Sequence, residues 1–108
     1  MTIDVLGTAY TVWIRSETED PFLKDCDGYT DKSTKSIVVC SESPDNELRN
    51  FEWYQKKVLR HEIIHAFLFE SGLDCCWTHG NGHDETYVDW IAMQYPKIAK
   101  AIQEAGAI

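Results

Sequence analysis

Along the chain, apolar positions recur first every second residue and later every third or fourth. Ile3 and Val5, then Tyr10, Val12 and Ile14, alternate with other residues around Leu6-Gly7-Thr8. This is the period of two strands joined by a tight turn, with Gly7 supplying the unusual backbone angle. Residues 17–27 are mostly polar, contain Pro21, and read as a connection with a short turn at Phe22-Leu23. Gly28-Tyr29-Thr30 and Ser36-Ile37-Val38-Val39-Cys40 flank Asp31-Lys32-Ser33-Thr34, whose residue types favour a turn. A second hairpin is therefore predicted, and its Val-rich arm is the strongest strand signal in the chain.

Beyond residue 43 the period lengthens. Ser43-Pro44-Asp45 offers a capping hydroxyl, a first-turn proline and an acidic residue, all features of a helix start. The residues from about Glu47 to Glu70 suit a helix, and Gly72 supplies its stop. A continuous helix of that span would be on the order of 36 Å long, which leaves room for a break near Asn50. From Val58 to Phe69 it is apolar around much of its circumference, predicting burial in the middle of the domain. Leu73 to His83, with Gly80, Asn81 and Gly82, reads as a loop. Asp84 can cap a further helix to about Tyr95, and Pro96 is expected to interrupt it and open another. Strands followed by helices predict one α+β domain over residues 1–108: a small antiparallel sheet of about four strands, a buried helix, and one or two further C-terminal helices.

Composition narrows the function classes. A chain of 108 residues, 44% hydrophobic and 26% charged, suits one small core. The formal net charge of −8 and the scattered lysines and arginines exclude an ordinary nucleic-acid binder. No apolar run approaches the roughly 20 residues of a membrane helix, and Met1 to Gly7 does not read as a secretory signal, so no membrane role and a cytoplasmic location are expected. Four cysteines without a CxxC pair argue against a four-thiolate zinc site. Reduced thiols are the expectation, with a Cys26–Cys40 bridge as the main exception. Trp13, Trp53, Trp77 and Trp90 are expected to fill a small core that depends on large groups.

The chemistry concentrates in Arg60-His61-Glu62-Ile63-Ile64-His65, an HExxH pattern inside the predicted helix. Residues four apart differ by only about 40° on a helix, so His61 and His65 can converge on one ion. Glu62 stands about 60° around the axis from His65, placed to take a proton from a water held there. A shuffled chain of this composition would contain the pattern roughly once in a hundred times, so the motif needs company. Nineteen residues separate His65 from Glu85, and Glu85 and Asp89 share a face of the next helix. A carboxylate from a neighbouring helix is a standard third zinc ligand, and Asp89 could fix the tautomer of a ligand histidine.

HExxH followed by ExxxD on a later helix resembles the gluzincin-type zinc metallopeptidases. The local runs His61-Glu-Ile-Ile-His65-Ala-Phe-Leu and Glu85-Thr-Tyr-Val-Asp89-Trp-Ile-Ala are similar to the ImmA/IrrE-like peptidases and to uncharacterised proteins of phages and prophages of Gram-positive bacteria. Ile64 departs from the glycine usual in the former. The resemblance implies one zinc ion per chain held by His61, His65 and Glu85, Glu62 as general base, and Asp89 behind His61. It implies hydrolysis of a peptide or protein substrate in the cytosol, that of a bacterial host if the chain is phage-encoded. It also implies an edge strand, for which Ser36–Cys40 is the natural candidate, lying beside the substrate. His79, His83, Tyr87 and Tyr29 are candidates for oxyanion support, His83 is an alternative ligand, and Cys75 and Cys76 could reach a metal. The alternative reading is a non-catalytic zinc-stabilised module that binds a phage or host regulatory protein.

Overall fold

In a computed structural model of the chain, described over residues 1–76 and 84–108, four strands form one sheet, one helix packs on it, and a second helix packs against the first. The strands are β1 (Thr2–Val5), β2 (Thr8–Arg15), β3 (Gly28–Asp31) and β4 (Ser36–Cys40); the helices are α1 (Phe51–Ser71) and α2 (Glu85–Glu104). Short 3-10 turns occupy Pro21–Lys24 and Leu73–Cys76. Leu6 and Gly7, at φ 52° and 90°, make the turn between β1 and β2. Both central positions of such a turn take positive φ, and glycine does so at no steric cost.

The sheet order is β1-β2-β4-β3, and this corrects the all-antiparallel expectation. Each hairpin is antiparallel as its turn demands, but β2 pairs in parallel with β4, Val12 opposite Ile37 and Ile14 opposite Val39. The hairpins are joined through their second strands. β4 is consequently an inner strand, and β1 and β3 are the edges. The α+β class stands, as a mixed sheet with one C-terminal helix.

The core is aliphatic apart from Tyr10. Val5, Tyr10, Val12, Ile37 and Val39 from the sheet meet Val58 and Ala66 of α1. The expected tryptophan core is overturned for Trp13, Trp53 and Trp90, which are 43%, 52% and 57% exposed; Trp77 lies outside the described residues. Tyr10, fully buried, donates its hydroxyl proton to Glu70 Oε1 (2.7 Å), and the Lys35 ammonium reaches the same oxygen (2.6 Å). That polar cluster fastens the C-terminal end of α1 to the sheet.

Helix boundaries show how tertiary contacts override local signals. α1 starts at Phe51 because the Asn50 side chain accepts the Trp53 N–H; the Ser43-Pro44-Asp45 signal opens only a turn. Gly72, at φ 81°, ends it. α1 buries Val58, Glu62, His65 and Ala66 but leaves Phe67 exposed, so it is covered on one side rather than all round. α2 is capped by Asp84, whose carboxylate accepts the Thr86 N–H (2.7 Å). It runs without interruption through Pro96. A helical proline leaves the carbonyl four residues earlier without its usual donor; here that carbonyl belongs to Ala92, and Arg60 Nε of α1 donates to it at 2.7 Å.

Candidate metal centre

The face of α1 that carries Val58, Glu62, His65 and Ala66 turns His61 toward α2. The two elements lock through the buried Val88 and Ala92 and the Arg60 bond. This docking brings the first two turns of α2 over the HExxH residues. His61 Nε2 and His65 Nε2 lie 3.0 Å apart. Each is 2.9 Å from a different oxygen of the Glu85 carboxylate, Oε2 for His61 and Oε1 for His65. The three donor groups fall within 4.8 Å of one another, the grouping a cation needs.

These residues fit a zinc ion. Two imidazole nitrogens and one carboxylate oxygen are the donors of an open catalytic zinc site. Tetrahedral ligands at about 2.0–2.1 Å from an ion stand roughly 3.3 Å apart, a few tenths of an ångström more than the separation of the two imidazole nitrogens, 3.0 Å. Glu85 is exposed on its outer side, which leaves solvent access to the point of convergence.

Behind His61, Asp89 Oδ1 lies 3.1 Å from Nδ1 and accepts its proton. That contact leaves the lone pair of a neutral imidazole on Nε2, pointing at His65 and Glu85. Lys57 Nζ donates to the same Asp89 oxygen at 2.9 Å. Lys57 first, and His61 after it, holds the Asp89 carboxyl below the usual carboxylate range. Glu62 is 6% exposed and lies beneath the cleft. Thr30 Oγ1 of β3 stands 3.0 Å from Glu62 Oε1 and 2.9 Å from the Glu62 carbonyl, sharing one proton between them. Burial pushes the Glu62 carboxyl up, and the Thr30 bond works in the opposite direction.

The cavity over these groups measures about 490 Å³ and is walled on one side by residues 26–30 and on the other by α1, Glu85 and Asp89. Its wall is β3, not β4, which corrects the expected edge strand: Ser36–Cys40 is hydrogen-bonded on both sides. Gly28 permits the close approach. A Cβ there would lie 2.9 Å from Val58 Cγ1 and 3.0 Å from the Val38 carbonyl.

The remaining candidates divide. Tyr29 lines the cavity but spends its hydroxyl on Asp20. Tyr87 is 62% exposed and does not line the cavity. His79, His83 and the Gly80-Asn81-Gly82 stretch lie outside the described residues. Cys26, Cys40 and Cys75 are free thiols, so the Cys26–Cys40 bridge is not formed. Thr30, Lys57 and Arg60 escaped the sequence reading. Lys57 had a signal, since it stands one turn before His61 on the same face; Thr30 had none, because strand order alone brings it to Glu62.

Comparison of the chain with protein-family models, curated proteins and solved structures found no match. The geometry is therefore the ground for a functional reading. Among the described residues, no helix is long and apolar enough to cross a membrane.

Proposed function

We propose that the chain is a zinc-dependent peptidase, with His61, His65 and Glu85 as the metal ligands and Glu62 as general base. One observation carries this reading: three donor groups from two helices converge within 4.8 Å while a buried carboxylate stands beside them. A zinc ion bound there supplies Lewis acidity, which makes a water nucleophilic near neutral pH and polarises a carbonyl. Glu62, raised by burial, accepts the proton of the attacking water and returns it to the departing amine. Asp89 holds His61 in the ligand tautomer, and Lys57 keeps Asp89 ionised. The outer edge of β3 offers backbone donors and acceptors to an extended peptide beside Glu62. The free thiols fit a reducing compartment such as the cytosol.

The test pairs metal analysis with turnover. Purified protein is expected to hold about one zinc per chain and to lose it in His61→Ala. Glu62→Gln is expected to keep the metal and to lose roughly 10²–10⁴-fold in cleavage of a peptide mixture. Undiminished cleavage in Glu62→Gln removes the general-base assignment. One zinc per chain with no turnover of any peptide selects the metal-stabilised binding module instead.

A further inference from the structure

Past the C-terminal end of β3 the site cavity continues into a second one of about 440 Å³, walled by Phe22, Tyr29 and Phe69. Cys26 and Thr30 line both cavities, so the two are continuous. The Phe22 and Tyr29 rings lie 5.6 Å apart, and the Phe69 ring stacks on His65 at 6.1 Å and 17°. Lys32 holds its ammonium 5.2 Å above the Phe69 ring, at the rim. Phe22 is left 74% exposed by folding, an apolar ring that gains from a covering group.

The direction of β3 decides which substrate residue reaches this place. Antiparallel pairing is the more stable arrangement for a strand added to an edge. A peptide so paired runs from Asp31 toward Gly28, so its residues before the reacting carbonyl lie at the Asp31 end. Resting on the peptidase reading, we propose that the Phe22–Tyr29–Phe69 cavity takes the side chain of the substrate residue immediately N-terminal to the scissile bond, and that this side chain is aromatic or large aliphatic.

The experiment uses the zinc-loaded full chain and peptides fixed in turn as Phe, Leu, Gly or Asp at each position. Cleavage after Phe or Leu is expected to exceed cleavage after Gly by on the order of tenfold. The ratio is expected to fall toward one in Phe22→Ala, a change at an exposed ring that opens no core cavity. A second readout needs no turnover. In Glu62→Gln, the Phe peptide is expected to slow iodoacetamide alkylation of Cys26 severalfold relative to Cys75, read by mass spectrometry, and the Gly peptide is not. Cleavage without that preference, or with a preference untouched by Phe22→Ala, overturns the subsite and leaves the peptidase reading intact. No cleavage with Phe22-dependent protection of Cys26 removes the peptidase reading and keeps the apolar pocket. Neither cleavage nor protection overturns both.

Discussion

At the scale of single residues, one carboxylate oxygen organises the candidate centre. Asp89 Oδ1 receives both the His61 Nδ1 proton and the Lys57 ammonium. Asp89→Asn keeps the shape but removes the charge that fixes the His61 tautomer, and zinc affinity is expected to fall about 10–100-fold. Competition with a chromophoric chelator measures it, and an unchanged affinity would detach Asp89 from the site. Glu70 behaves differently. Lys35 and then Tyr10 hold its carboxyl below the ordinary range. A depressed folded pKa contributes stability above the unfolded value of about 4.3, lost as pH falls through the folded one. Glu70→Gln is therefore expected to lower stability at pH 7 and to flatten the acid limb of a stability–pH curve; an acid limb identical to that of the parent chain would refute this. His61, Glu62 and His65 were legible in the sequence as one group and Glu85 and Asp89 as another, because helical spacing places each set on one face; the docking of α2 on α1 brings the two sets together. Thr30, which lines the cleft, and Phe22, which lines the cavity beside it, were not, since each comes from a segment with no periodic relation to α1.

At the scale of elements, Pro96 and Arg60 explain one another. Proline denies Ala92 a helical donor, and Arg60 fills the vacancy from α1, so the signal that predicted a break instead marks the joint between the helices. Removing Arg60 leaves that carbonyl without its protein donor and is expected to cost about 1–3 kcal/mol. Pro96→Ala restores an N–H four residues on, so Arg60→Ala is expected to cost distinctly less in that background. Urea unfolding of the four-member mutant cycle reads the coupling. Equal costs in both backgrounds would show that the guanidinium acts elsewhere. Sheet order was the other element-scale surprise. Each hairpin follows from its own turn residues, whereas the parallel seam between β2 and β4 joins segments distant in sequence that no local signal pairs.

At the scale of the whole molecule, the helices meet through few buried groups. α2 buries only Val88 and Ala92, and the Cα radius of gyration of 14.9 Å exceeds the about 13 Å usual for this length. An ion bridging His61 and His65 of α1 with Glu85 of α2 would tie the two helices together. Zinc at a thousand times its Kd is expected to add about 4 kcal/mol of stability. Each kcal/mol shifts Tm by roughly 4–8 °C in a domain of this size. A chelator should accordingly lower Tm by many degrees, and coincident melting curves with and without it would deny the chain a structural metal.

By itself the sequence determined the four strands, the helix that carries HExxH and the set of chemical groups. Residue spacing dictates which side chains share a strand face or a helix face, and the HExxH and ExxxD patterns are statements of that kind. Tertiary structure alone decided that β3 is the strand beside the cleft, that Pro96 lies within a continuous helix, and that Thr30 and Phe22 belong to the site's surroundings. Those outcomes depend on pairing between segments distant in sequence. The competing arrangements satisfy the same local preferences and differ only in the apolar surface they bury and the polar groups they pair.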